Sequence, residues 1–321
     1  ASRAAYSTDS GNVNNLKNGF RISLCHSIPF FFIYLNVFSA THTRHMAIRL
    51  SYQPYQLDFK FEAGTSRGIL THKKNWFIKA TDTSTPNVFG LGECGPLVGL
   101  SVDDRPDFEV QIKAVCELFN ALDLDIFPFN LPIVLDQIVP AYLPSLRFGL
   151  ETALLDTLNG GMRCIYSNSF STSKVPIPIN GLIWMGTPDF MKRQIETKLQ
   201  EGYTTLKLKI GALDFKSELA ILRAVRARFS ASELCIRVDA NGAFDPDSAP
   251  LKLQQLAEFD IHSIEQPIRA GQPDAMAQLI QASALPVALD EELIGIHDYQ
   301  TKYQLLKTLH PPFIILKPTL L

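Results

Sequence analysis

Six ionisable side chains recur along the second half of this 321-residue sequence at intervals that suit one shared site. They stand in Lys207-Leu-Lys209, Asp239-Ala-Asn241, Glu265-Gln-Pro267, Asp290-Glu-Glu292 and Lys317-Pro318, and from Lys209 to Lys317 the steps are 30, 26, 25 and 27 residues. Three carboxylates brought together repel one another severely unless a cation lies among them. Asp239, Glu265 and Asp290 offer only oxygen, with no His or Cys beside them, so the set suits Mg²⁺, with Mn²⁺ as a substitute, rather than zinc. Lys207 and Lys209 are two apart, so on an extended strand both face the same way. Two ammonium groups beside a divalent ion disfavour each other's charge, which favours a neutral amine able to take a proton. The chemistry this predicts is proton abstraction. A carboxylate substrate held at the metal has its α-proton acidified, Lys209 removes it, and Lys317 flanks the substrate.

Taken alone, Asp290 reads as an ordinary capping or solvated residue after a strand. Five charged groups after five consecutive strands do not read that way. Lys207 either tunes Lys209 or only pairs with a carboxylate, and Asn241 and Glu291 read either as supports of the ligands or as surface positions.

To hold such a set, short apolar runs must alternate with helices. Strand-like runs lie at 176–183, 205–210, 234–238, 263–264, 286–289 and 313–316, and helical periodicity at 188–200, 215–229, 247–259, 274–282 and 297–309. Strict alternation implies parallel pairing through βαβ crossovers, in a closed barrel or an open sheet. In a (β/α)₈ barrel the C-terminal strand ends form the active-site face, where the second and sixth strands oppose each other. Upstream, 46–95 is strand-like and turn-rich, suggesting a three-stranded meander with strands at 55–61, 76–80 and 88–92. Apolar residues at Phe108, Ile112, Val115, Leu118 and Phe119 predict a helix over 106–120, and a second covers 144–158. Gly160-Gly161 marks the change of character. Gly90-Leu-Gly92-Glu-Cys-Gly95 spells a dinucleotide-binding fingerprint, but no helix opens at its last glycine and the flanks are a meander, so that reading is rejected.

At 46% hydrophobic and 19% charged residues, the chain can bury a large core. Its 30 basic and 32 acidic residues leave no cationic surplus for a nucleic-acid backbone. Five scattered cysteines suggest neither disulfides nor a zinc site and fit reduced thiols in the cytoplasm. Residues 1–45 carry Lys17 and Arg21 ahead of an apolar stretch at 28–38 that is too short to span a bilayer. That layout follows a signal peptide, yet we read it as a disordered or non-native leader, with the folded protein starting at Met46. The expected partner is a small carboxylate substrate, with association of further copies left open and neither nucleic acid nor membrane expected.

The motifs resemble the enolase superfamily. Lys207-Leu-Lys209 is similar to the K-x-K of its muconate-lactonizing subgroup, and Asp239-Ala-Asn241, Glu265-Gln-Pro267, Asp290-Glu291 and Lys317 follow that subgroup's metal ligands and second lysine in order over about 46–321. Gly92-Glu-Cys-Gly-Pro-Leu-Val-Gly-Leu-Ser101, Ala288-Leu-Asp-Glu-Glu-Leu-Ile-Gly295 and Ile314-Ile-Leu-Lys-Pro-Thr-Leu-Leu321 are similar to o-succinylbenzoate synthases. The resemblance implies an α/β fold: an α+β capping domain over 46–160 on a modified TIM barrel, of which 161–321 holds six strands and lacks two. It also implies substrate contacts at Ser66, Arg67, Gly99 and Leu100. The implied reaction is Mg²⁺-dependent dehydration of 2-succinyl-6-hydroxy-2,4-cyclohexadiene-1-carboxylate in menaquinone biosynthesis. Lys209 would take the α-proton and then help the hydroxide leave, while Lys317 would stay protonated and stabilise the enediolate. Alternatives are a dipeptide epimerase or N-acylamino acid racemase, which share both lysines and all three ligands, and a non-catalytic metal-binding barrel fragment.

Overall fold

The structure, a computed structural model, describes residues 47–65 and 68–321. The readings of the 1–45 leader, of the Met46 start and of Ser66 and Arg67 lie outside the described residues. The amino-terminal meander is longer than its alternating pattern suggested: β1 (Ile48–Thr65) and β2 (Gly68–Asp82) form a long antiparallel ribbon, and β3 (Phe89–Cys94) pairs with the second half of β2. The alternation understates β1 because its apolar rhythm changes parity between Tyr52 and Tyr55, while the ladder to β2 runs on from Ile48↔Asp82 to Thr65↔Gly68 with a register shift between Asp58 and Ala63.

Three helices cover the sheet: α1 (Phe108–Leu122), α2 (Leu131–Ile138) and α3 (Pro144–Leu158). On α1, Phe108, Ile112, Val115 and Phe119 are buried as their spacing predicts, whereas Leu118 is 44% exposed because it sits about 100° around the helix from Phe119. The eight-residue α2 is too short to announce itself by periodicity, yet it buries Leu131, Val134, Leu135 and Ile138. The glycines of the rejected fingerprint have a packing role. A Cβ on Gly90 would strike the Ala153 carbonyl, and one on Gly92 the Gly149 carbonyl, so β3 lies directly on α3. The buried Thr157 hydroxyl completes the contact, accepting from Gly90 N and donating to Ala80 O, each at 2.9 Å. Gly92→Ala is therefore expected to destabilise the protein by about 1–3 kcal/mol through overpacking. Thermal unfolding should show a clear drop, with Val110→Ala on the exposed face of α1 as the unchanged reference.

The remainder alternates as expected. The strands are β4 (Gly181–Ile183), β5 (Thr205–Lys209), β6 (Cys235–Asp239), β7 (Ser263–Glu265), β8 (Val287–Leu289) and β9 (Phe313–Ile314). Between them run α4 (Pro188–Gln200), α5 (Phe215–Arg226), α6 (Ala249–Ala257), α7 (Pro273–Ala282) and α8 (Tyr299–Leu309). The strand expected over 176–183 shrinks to its last three residues because β5 offers partners only from Leu206 to Leu208. Caps set several helix starts, with Thr187, Asp214 and Asp298 accepting from backbone N–H groups of the first turns of α4, α5 and α8.

The six strands are parallel and their order in space follows the chain, β4 to β9. A doubly wound open sheet reverses its order at a switch point. Here every crossover steps to the next neighbour in one direction, which is the winding of a (β/α) barrel. Among the described residues β4 and β9 are the edges of this sheet. Leu206, Leu208, Ile236, Val238, Ile264, Val287 and Leu289 are buried with Ile195, Ile221, Leu222, Leu253, Met276 and Leu279 of the helices in one apolar cluster. Each side chain so buried is worth roughly 1.5–3 kcal/mol. A second cluster, sharing no residue with the first, lies between the meander and α1–α3. The alternate residues of β5, β6 and β7 face the other way, and there the ionisable groups collect. No helix among the described residues is long and apolar enough to cross a membrane.

Candidate active site

Register brings the first three groups together. Lys209 stands opposite Asp239, and Asp239 opposite Glu265, so all three side chains leave the same face at the C-terminal ends of β5, β6 and β7. Asp290 lies two residues beyond Ala288, the partner of Glu265, and so keeps the same parity. All three carboxylates are buried.

Each is met by a lysine. Lys209 Nζ donates to Asp239 Oδ2 at 2.5 Å and to Asn241 Oδ1 at 2.7 Å. Lys207 Nζ donates to Glu265 Oε2 at 2.5 Å and lies 2.9 Å from Asp239 Oδ2. Lys317 Nζ donates to Asp290 Oδ2. Of the two roles read for Lys207, its contacts are those of a carboxylate partner. Asn241, in the left-handed region at φ 45°, donates its backbone N–H to Asp239 Oδ1 at 3.0 Å and its amide to Glu291 Oε1 at 3.2 Å. It thus joins Lys209, Asp239 and Glu291. Asn241→Ala is expected to lower kcat about 10–100-fold, the usual cost of losing a residue that orients site groups, with the circular dichroism spectrum unchanged.

The charges are not at ease. Burial works against ionised Asp239, but the Lys209 and Lys207 ammoniums outweigh it and hold the carboxyl down at about 2. Glu265 goes the other way, pushed up to about 8 first by burial and then by the Asp239 charge. Burial, followed by the charge of Asp290, also raises Glu291. Burial alone would lower Lys207, yet Asp239 and Glu265 raise it overall.

Two features fit a divalent cation. Asp290 Oδ1 is buried without a hydrogen-bond partner, and Glu265 is a carboxyl whose charge is disfavoured by burial and then by the neighbouring Asp239 charge. An added positive charge relieves both. The described residues contain no cluster of three or more acidic, His or Cys groups already drawn up as a cage. Mg²⁺ does not demand one, since it is commonly bound through few carboxylates with water and substrate completing its shell.

Comparison with known proteins places this geometry. The pattern of the enolase C-terminal domain-like family matches residues 191–305. An o-succinylbenzoate synthase of Desulfotalea psychrophila is 42% identical over 295 residues, covering 85% of this chain and 79% of that protein. The chain belongs to the enolase superfamily. Among solved superfamily structures, MenC of the same organism superposes with a TM-score of 0.71 at 38% identity, over 86% of this chain and 79% of that one. The o-succinylbenzoate synthase of Thermosynechococcus elongatus, complexed with Mg in its active site, gives 0.64 at 25% identity, over 85% and 77%.

In a (β/α) barrel the chemistry lies at the C-terminal strand ends, and there this chain places residues of the amino-terminal meander and helices beside Lys317. A cavity of about 410 Å³ is lined by Lys73, Glu93, Gly95, Leu97 and Phe148 from the amino-terminal elements and by Lys317 and Thr319 from the segment after β9. Lys73 is held below the usual lysine range by burial, partly offset by Glu93. Sequence reading missed Lys73 and Phe148, whose surroundings carry no motif. Of the loop residues expected to meet substrate, Gly99 and Leu100 lie farther along the turn, where Gly99 N donates to Asp104 Oδ2 at 2.8 Å, while Gly95 and Leu97 of the same loop line the cavity.

Proposed function

We propose that the chain is a Mg²⁺-dependent carbon–oxygen lyase that dehydrates 2-succinyl-6-hydroxy-2,4-cyclohexadiene-1-carboxylate to o-succinylbenzoate. The observation that carries this is the buried strand-end row of Lys209, Asp239 and Glu265, completed by Asp290 and Lys317, in a chain 42% identical to an o-succinylbenzoate synthase. Asp239, Glu265 and Asp290 would hold Mg²⁺, with Mn²⁺ as a substitute. When bound, the ion supplies Lewis-acid stabilisation of negative charge on the substrate carboxylate.

The protein's own groups do the rest. Lys209 takes the proton α to the carboxylate, and the Asn241 and Asp239 contacts aim its amine. Lys317 keeps its proton and opposes the negative charge that builds on the substrate as the C–H bond breaks. The ring C–O bond then breaks, a ring double bond forms, and the proton on Lys209 passes to the departing hydroxide. One water is lost and the ring becomes aromatic, which drives the reaction forward. Asn241 and Glu291 support the ligands, and Lys207 neutralises the Asp239–Glu265 pair. Ser66, Arg67, Gly99 and Leu100 belong to the loops proposed to close over the substrate. The two separate apolar clusters support a capping domain over 46–160 and a barrel domain over 161–321. The enzyme is proposed to be cytoplasmic, with association of copies left to measurement.

The test follows the absorbance of the cyclohexadiene substrate with Mg²⁺ and with EDTA. Turnover that requires Mg²⁺ upholds the proposal. Absence of turnover together with α-proton exchange into a dipeptide or N-acylamino acid would transfer the chain to the epimerases or racemases.

A further inference from the structure

Gln266 follows the ligand Glu265 and is 1% exposed, and it takes no part in the chemistry above. Its backbone sits in the left-handed region at φ 40°, a conformation that costs a non-glycine residue about 1–2 kcal/mol and persists only where the surroundings enforce it. They do so here, because every polar atom of the residue is engaged. Oε1 accepts from Asp290 N and Glu291 N, both at 3.1 Å. Nε2 donates to Ile268 O and to Glu292 Oε1, both at 3.0 Å. Two backbone donors on one end of the amide leave no ambiguity about which end is oxygen. The main chain adds two ties, with Gln266 N donating to Ala288 O at 2.9 Å and Gln266 O accepting from Gly242 N at 2.6 Å. Glu292 is itself buried, and its Oε2 accepts from Gly271 N at 3.2 Å.

One residue therefore fastens the end of β7 to the segment that follows Asp239 at the end of β6 and to the segment after β8 that carries Asp290. We infer that the Gln266–Glu292 pair sets the spacing of the three carboxylates and with it the site's preference for Mg²⁺ over larger divalent ions. This rests on the metal-site reading above. Mg²⁺ demands near-ideal octahedral oxygens at about 2.0–2.1 Å, whereas Ca²⁺ accepts six to eight oxygens at about 2.3–2.6 Å in loose geometry. A framework that cannot shift favours the small, exacting ion, and loosening it penalises Mg²⁺ more than Ca²⁺. Opposite the Glu292 carboxylate the residue must be an amide. A carboxylate would keep the two contacts from Asp290 N and Glu291 N but would set a like charge against Glu292, and an apolar side chain would lose both halves.

The experiment is calorimetric titration of the full chain with MgCl₂ and with CaCl₂, independent of turnover, for wild type, Gln266→Met, Gln266→Glu, Glu292→Gln and the exchanged pair Gln266→Glu/Glu292→Gln. The single variants should weaken Mg²⁺ binding about 10–100-fold, the usual effect of removing a group that orients metal ligands. Ca²⁺ binding should weaken several-fold less, and the exchanged pair, which restores the donor–acceptor contact in reverse, should regain most of the Mg²⁺ affinity. Loss of folding alone lowers the active fraction for both ions equally and does not move their ratio. Unchanged Mg²⁺ affinity, equal losses for both ions, or an exchanged pair no better than Gln266→Glu would each overturn the inference. If Gln266→Met does not fold, Glu292→Gln and the exchanged pair decide the matter. A wild type that takes up neither ion sinks the metal-site reading itself, an outcome distinct from a wild type that binds Mg²⁺ as well as its variants do.

Discussion

Lys209→Ala is expected to abolish measurable dehydration, with kcat reduced about 10²–10⁴-fold, the range contributed by a positioned general base. The loss should fall on kcat rather than KM, because the amine acts on the α-proton in the transition state and adds little to ground-state binding. Lys209 is also a partner of Asp239, so its removal frees one carboxylate oxygen. Mg²⁺ affinity should hold or rise, which separates the loss of a base from a collapsed site. Lys209→Arg keeps the charge beside Asp239 but puts in place of the amine a guanidinium that does not give up its proton, and it should be as inactive as the alanine variant. Stopped-flow turnover and Mg²⁺ titration of the two variants provide the check. A Lys209→Ala protein retaining a tenth of wild-type kcat would remove this residue from the role of base.

The second large effect is on stability. Asp239, Glu265 and Asp290 are all buried, at the ends of neighbouring strands, and a cation that binds only the folded arrangement stabilises it by mass action. At 100 times the dissociation constant the gain is about 2.7 kcal/mol, roughly 5–10 °C in Tm for a domain of this size. Scanning calorimetry with saturating MgCl₂ should show this rise, and EDTA should reverse it. Asp290→Asn should erase the Mg²⁺-dependent part and most of the turnover. The carboxamide removes a charged ligand and leaves Lys317, which now pairs with Asp290 Oδ2, without its counter-charge. A Tm that rises with Mg²⁺ as much in Asp290→Asn as in wild type would place the cation elsewhere.

Much of this site was legible before any coordinates. The residues at the strand ends repeat with the period of a βα unit, and the structure places Lys209, Asp239 and Glu265 in one register row. The helices over 188–200 and 144–158 were delimited to the residue, because Pro at the first turn marks each start. Short elements were less visible. The α2 helix has too few turns to show a period, and β4 is a strand only where β5 offers it partners. Gly90-Leu-Gly92 pointed to a phosphate loop by spelling alone, and only the closeness of α3 explains why those positions carry no side chain.

The sequence by itself determined which residue types stand at the strand ends, their parity along each strand and the winding that gathers them, because alternation and period are properties of neighbouring residues. It also determined, through motifs and identity, the superfamily to which the chain belongs. Tertiary structure decided the rest: that Lys207 bridges Glu265 and Asp239, that Lys73 and Phe148 share a cavity with Lys317, and that Gln266 joins three strand ends. Those are contacts between residues tens of positions apart, and no local periodicity records them. They depend on sheet register and on the depth to which each strand end is buried, which follow only when the whole core has packed.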